Sequence, residues 1–352
     1  MNNNMPTVTL SQAKSIIKAL AREQSVLLLS APGVGKSDIV SQAAVEAGLP
    51  CRSLLGTQIA PEDVSGIPRI VGERSVFCPP RVLLPEEPEP FCLFLDELPA
   101  CTPDIQKSFY SLLLERRLGE WPLPEGTWVV AAGNRAEDRS LVRSLSAALV
   151  NRVVILNVRV DVKEWLVWAN NNGVRKDIIA FIAFMNDALA RPVPATPGPF
   201  STPRAWASLS RAIDLAENAG ILTPETLRAL AFGRISPEDA ATFCVYSEAK
   251  MDGLQPWSEY LKGSASLPGD STARWFVLHA IRLGIYDDAV RDAASPEAVN
   301  AFLQGLNPEE RAAVLLGNVA RWGELGADDA ILATLKEITG IERTLETDSQ
   351  PL

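Results

Sequence analysis

The first half of the chain alternates two hydrophobic rhythms. Short, near-continuous apolar runs at Val26–Ser30, Arg52–Leu55, Phe91–Asp96, Thr127–Ala132 and Val153–Val158 are separated by helical periodicity over 11–22, 36–47 and 102–115. Strands that are apolar on both faces need cover on both, as in a parallel sheet layered between helices. The pattern therefore predicts an α/β fold with a parallel five-stranded sheet. Residues 60–90 break the rhythm: Ile67–Val71 and Ser75–Cys78 flank Gly72-Glu73-Arg74, which reads as a small hairpin, and five prolines from Pro79 to Pro90 lead the chain back. Leu118-Gly119-Glu120-Trp121 starts a second hairpin-like excursion.

Past about residue 160 the strand rhythm stops and helices follow one another. Several open with a capping residue, a proline and an acid: Thr223-Pro224-Glu225, Ser236-Pro237-Glu238, Ser295-Pro296-Glu297 and Asn307-Pro308-Glu309. The Pro-rich stretch 191–199 reads as a stiff linker into another helix start, Ser201-Thr202-Pro203-Arg204. These shifts predict an α/β domain over 1–160, a helical domain over 161–235 and a further helical region over 236–352.

The chemistry sits where the apolar runs end. After Val26-Leu27-Leu28-Leu29 come Ser30-Ala31-Pro32-Gly33-Val34-Gly35-Lys36-Ser37. Glycines let the backbone fold its N–H groups around an anion, and the helix opening at Lys36 directs its positive end at the same charge. Lys36 would reach the β- and γ-phosphates of a nucleoside triphosphate, and the Ser37 hydroxyl would bind Mg2+. Ser30 stands where this loop pattern has its first glycine, at a strand end that tolerates a small side chain. A second run, Phe91 to Leu95, ends in Asp96-Glu97. Active groups of a parallel sheet lie at the carboxyl ends of its strands, so Asp96 is expected to hold the metal beside Ser37, and Glu97 to polarise an attacking water. Val129–Ala132 repeats the pattern and ends in Gly133-Asn134, where Asn134 would meet the γ-phosphate or the water; an ordinary Gly-Asn turn is the plainer reading.

Composition narrows the partners. A net charge of −10 works against binding nucleic-acid phosphates unless a local basic patch overrides it. No apolar stretch approaches the ~18 residues that cross a bilayer, and the opening Met1–Pro6 is neither basic nor apolar, so no membrane span or signal peptide is expected. Five cysteines without paired spacing read as reduced thiols of a cytoplasmic protein. The single histidine, His279, reads as a packing residue and leaves no histidine triad or zinc cluster. Trp121, Trp165, Trp168 and Trp206 are likewise assigned to packing rather than to base stacking.

Taken together, Ala31–Ser37, Leu93–Glu97, Ala132–Asn134, Ser144–Arg152 and Ser201–Ala205 resemble the motifs of AAA+ ATPases, and are most similar to the MoxR-like branch. The resemblance spans about residues 10–215, and Ile59–Cys78 resembles the family's helix-2 insert near the central pore. It implies that Ala31, Pro32, Gly33, Val34, Gly35, Lys36, Ser37 and Asp96 bind ATP, with Ser37 and Asp96 holding Mg2+. It makes Glu97 and Asn134 catalytic, and makes 161–235 an α-helical lid. Arg152 would be an arginine finger acting on the neighbouring subunit's nucleotide, with Arg143 as the rival, and Arg204 would be the sensor 2 arginine of the lid. A cation in the first turn of a helix opposes the helix dipole, so Arg204 asks for a reason that a phosphate would supply. The resemblance further implies a homo-oligomeric, hexameric ring. That ring would act as a chaperone on a client protein, through a separate partner chain with a von Willebrand factor A domain. The alternatives are a nucleic-acid motor or NTP-dependent restriction subunit, and a scaffold that binds ATP without turnover.

Overall fold

The computed structural model describes residues 6–315 apart from 82, 85–88, 136–144, 250, 252 and 287–295. The chain opens with β1 (Thr7–Val8) and α1 (Leu10–Leu20), where the Thr9 hydroxyl and the Gln12 side chain cap each other's backbone. Then come β2 (Val26–Ser30), α2 (Lys36–Glu46), β3 (Cys51–Leu55) and the short α3 (Pro61–Ser65). The first hairpin, β4 (Ile67–Val71) with β5 (Arg74–Cys78), precedes β6 (Cys92–Asp96), α4 (Pro103–Ser108) and α5 (Tyr110–Glu115). A second hairpin, β7 (Arg117–Leu118) with β8 (Trp121–Pro122), leads to β9 (Trp128–Asn134), α6 (Ala147–Val150) and β10 (Val154–Val158).

Six of these strands form one parallel sheet in the order β1-β10-β2-β9-β6-β3. The five apolar runs are its long strands, and the sixth is the two-residue edge strand β1, too short to leave a periodic signature. Alternate residues explain why the runs are unbroken. Leu27, Leu29, Leu93, Leu95, Val129 and Ala131 pack with Ile105, Phe109, Leu112 and Leu113 on one face. Val26, Leu28, Phe94, Val130 and Ala132 pack with Ala13, Ile17, Val40 and Ala43 on the other.

Three sequence expectations need correction. The helix expected over 102–115 is broken at Phe109 into α4 and α5. There the Ser108 hydroxyl donates back to Ile105 O at 2.7 Å, a side-chain bond that competes with the helix ladder. Trp121 is not in the core: it is 43% exposed, and its indole donates to Phe77 O at 2.7 Å, fastening the second hairpin to the first. His279 is exposed as well, because Phe276, Val277, Leu278, Ala280 and Ile281 occupy the buried face of its helix.

Beyond β10 the described elements are helical: α7 (Val162–Asn171), α8 (Lys176–Phe184), α9 (Pro203–Asn218), α10 (Pro224–Phe232), α11 (Pro237–Glu248), α12 (Trp257–Leu261), α13 (Ser271–Tyr286), α14 (Pro296–Gln304) and α15 (Pro308–Leu315). The four cap–proline–acid starts coincide with α10, α11, α14 and α15, although Ser295 lies outside the described residues. The chain divides into two compact units. One holds the sheet and comprises Met1–Trp168, Ala190–Leu209 and Arg234–Ser236; the other comprises Ala169–Leu189, Ser210–Gly233 and Pro237–Leu352. The second unit is built around Phe181, Phe184, Phe243, Tyr246 and Phe276, whose ring centroids lie 5.2–6.2 Å apart. Among the described residues, no helix is long and apolar enough to cross a membrane.

Candidate active site

Strand register brings three chain segments to one edge of the sheet. Ser30, the last residue of β2, pairs with Asn134, the last of β9, while Leu95 of β6 pairs with Ala131 of β9. Asp96, the next residue, ends β6 at the same carboxyl end of the sheet, two register positions before Asn134. After β2 the loop turns through Gly33 (φ +74°) and Gly35 (φ +112°), values that side-chain-bearing residues rarely adopt. A Cβ on Gly33 would also stand 2.6 Å from Thr202 Oγ1. Gly35 provides no side-chain cap for α2, so the first amides of that helix are left to an external acceptor.

Lys36 is only 8% exposed. Its ammonium donates to Ser30 Oγ at 3.0 Å, Ala31 O and Asn134 Oδ1 at 3.2 Å, and Ser30 O at 3.3 Å. The Ser37 hydroxyl donates to Asp96 Oδ2 at 3.1 Å, and Asp96 Oδ1 accepts the Glu97 amide at 2.9 Å. Glu97 itself has φ +58°, a conformation that costs a residue with a side chain roughly 1–2 kcal/mol. The Thr57 hydroxyl donates to its Oε2 at 2.8 Å. The turn after Glu97 lies so close to β9 that a Cβ on Gly133 would collide with Pro99, which accounts for a glycine next to Asn134. Cys101, near Glu97, is buried, and burial, with the Glu97 charge adding to it, pushes its thiol up to about 11, which disfavours the reactive thiolate.

Gly33, Lys36, Ser37, Asp96 and Asn134 thus converge, with Glu97 next in sequence to Asp96; Ala31 and Pro32 are half-buried in the loop, and Val34 anchors it in the core. Arg204 reaches this loop through its backbone, donating its amide to Gly33 O at 3.1 Å, while its side chain is exposed in the first turn of α9. Arg152 is not part of the cluster. It donates to Ala148 O at 2.6 Å and lies 4.9 Å over the Tyr110 ring, whose hydroxyl shares a hydrogen bond with Ser146. Arg143 lies outside the described residues.

Two contacts near the site escaped the sequence reading, that of Thr57 with Glu97 and that of Thr202 with Gly33. Thr57 follows the end of β3, and the strand-end rule that exposed Asp96 applies to it equally. Thr202, which caps α9 by accepting the Ala205 amide at 3.0 Å, packs on Gly33 from far along the chain, and nothing local signals that. The donor set suits the implied ligands. A hydroxyl and a carboxylate are hard oxygen ligands fit for Mg2+, which is commonly held by one or two carboxylates together with substrate phosphates. Among the described residues no cluster of three or more His, Cys, Asp or Glu offers another metal site.

This arrangement is an AAA+ P-loop α/β fold. Residues 25–188 match the family model described as the AAA domain of the dynein-related subfamily, a stretch that includes the loop, Asp96, Glu97, Asn134 and Arg152. Among solved structures, a variant of Thermotoga maritima RuvB is 16% identical over 74% of this chain and 79% of its own, with a TM-score of 0.41. The T. maritima RuvB Holliday junction branch migration motor is 16% identical over 72% and 74%, with a TM-score of 0.40. NtrX from Brucella abortus is 14% identical over 65% and 66%, with a TM-score of 0.31. No curated protein matches the chain.

Proposed function

We propose that this chain binds ATP with Mg2+ and hydrolyses it, as a MoxR-like AAA+ ring ATPase that remodels or activates a partner protein. The observation that carries the hydrolytic reading is the double link across the strand ends, Lys36 to Asn134 and Ser37 to Asp96, with Glu97 directly following. Lys36 and the loop amides would hold the phosphates, and Asn134 would orient the γ-phosphate or the water. Ser37 and Asp96 would hold Mg2+, which when bound neutralises charge on the phosphate oxygens. Glu97 would accept the proton of the attacking water, its Oε2 fixed by Thr57. Arg204, whose backbone already meets the loop, would turn its exposed guanidinium to the phosphates. Arg152, tied to its own α6 and to Tyr110, would serve a neighbouring subunit's nucleotide, which is why a closed ring, hexameric by resemblance, belongs to the proposal.

The remodelling role draws on the MoxR-like motifs, on a net charge of −10 that disfavours a nucleic-acid track, and on a client reached through a separate von Willebrand factor A domain protein. Five free cysteines fit a cytoplasmic setting. The test is Glu97→Gln. It should bind ATP with a Kd close to the parent's and lose phosphate release by about 10²–10⁴-fold, the usual worth of a general base. Normal turnover would remove Glu97 from the chemistry. The ATP-locked variant should then retain the client and partner from native cells, identified by mass. DNA-stimulated turnover that declines steeply with salt would instead make the chain a nucleic-acid motor.

A further inference from the structure

Ser30 occupies the position at which phosphate-binding loops of this pattern carry their first glycine. It is fully buried, ends β2 and pairs with Asn134. Its hydroxyl donates to Ala31 O at 2.9 Å and accepts from Lys36 Nζ at 3.0 Å. Four oxygen contacts to the ammonium, all within 3.3 Å, are seen among the described residues, and this one is the shortest of them. An ammonium has three hydrogens. Four protein oxygens already share them, so a phosphate oxygen can bond Lys36 only by displacing one of these acceptors.

Ser30 Oγ is the acceptor that a glycine would not supply. We infer that Ser30 is a positioning residue that sets how tightly Lys36 grips a nucleotide phosphate: its hydroxyl competes for one ammonium hydrogen, stiffening the loop and weakening the nucleotide. The inference rests on the ATP-binding reading above and adds to it a named determinant of affinity. It carries a signature that a merely structural serine lacks, because the two effects have opposite signs. Removing the hydroxyl takes two hydrogen bonds from a buried loop, so the protein without nucleotide should melt lower. The same change removes one of the oxygens that compete with a phosphate for the three ammonium hydrogens, so ATP should bind more tightly and raise the melting temperature further.

The experiment compares Ser30→Ala and Ser30→Gly with the parent by calorimetric titration of ATP in magnesium buffer and by thermal melts with and without ATP. Alanine keeps the Cβ and removes only the hydroxyl, whereas glycine also frees the backbone. The expected result is a Kd lowered about three- to tenfold in both variants, the net worth of one ordinary hydrogen bond. It should come with a lower melting temperature without ATP and a larger rise on adding it. A Ser30→Ala variant that binds ATP as the parent does, or more weakly, overturns the inference and leaves the proposed function standing. Tighter binding in Ser30→Gly alone assigns the effect to backbone freedom and also overturns it. A parent that binds no ATP removes both the function and this role.

Discussion

Gly33 is where backbone and side-chain constraints coincide. Its φ of +74° is costly for any residue with a Cβ, and the Cβ would press on Thr202 Oγ1 at 2.6 Å. Gly33→Ala should therefore destabilise the protein by roughly 1–3 kcal/mol and weaken ATP binding together with it, because relief of either strain moves the loop amides. Thermal melts and ATP titration would check this. Affinity at the parent's level would mean that the amides of this loop do not hold the phosphates. Ser37, Asp96 and Asn134 were legible in the sequence because each ends or follows an apolar run, and a parallel sheet gathers such ends at one edge. The Ser37–Asp96 bond at 3.1 Å joins residues 59 positions apart, yet the two motifs place both partners. The contact of Thr202 with Gly33 had no such rule, since it depends on how a distant helix start meets the loop.

Elements show the same division between local pattern and tertiary placement. The capped starts of α10 and α15 follow from Thr223 and Asn307, whose side chains accept the Thr226 and Glu310 amides. The break between α4 and α5 goes with a local side-chain bond, Ser108 to Ile105 O, and the outward indole of Trp121 with a distant carbonyl, Phe77 O; apolar periodicity is blind to both. The hold of α1 on α2 is a tertiary feature with a pH signature. Glu46 accepts from Lys14 at 2.8 Å and from Lys18 at 2.9 Å, and the hydrogen bonds from those two ammonium groups, Lys14 first, lower its carboxyl to about 2. A carboxyl depressed in the folded state adds stability above its unfolded value of 4.5, and loses that contribution as pH falls toward about 2. Because the pair is exposed and screened by solvent and salt, the effect is small. Glu46→Gln should melt slightly below the parent at pH 7 in low salt, with the gap narrowing as pH drops below 4.5. A gap that is constant with pH would show that the ion pairs do not hold α1 to α2.

At the scale of the whole molecule, the residue that tests the proposed ring is Arg152, which lies outside the cluster around Lys36 and Asp96. Its guanidinium lies over Tyr110 and donates to Ala148 O, while the Lys36–Asn134 and Ser37–Asp96 links are made without it. Its buried Nε has no hydrogen-bond partner among the described residues. In the ring proposed above, a guanidinium held in this way would contribute to hydrolysis by being presented to a neighbour across a head-to-tail interface, which closes into a ring when the rotation allows. Arg152→Ala should then keep ATP binding and lose about 10³-fold or more in turnover. Mixing separates a role in trans from one in cis. In the proposed ring a complete site would need Glu97 from the subunit that holds ATP and Arg152 from the next one, so Arg152→Ala beside Glu97→Gln would form one intact pairing. In a random equal mixture, about a quarter of the interfaces would have that pairing, since each interface has one defined order of subunits. Two inert proteins should therefore recover a measurable share of the parent's phosphate release on mixing, and lose it again on dilution as rings dissociate. Recovery that is absent while light scattering shows mixed rings would place Arg152 outside the neighbour's chemistry and leave the ring without its catalytic reason.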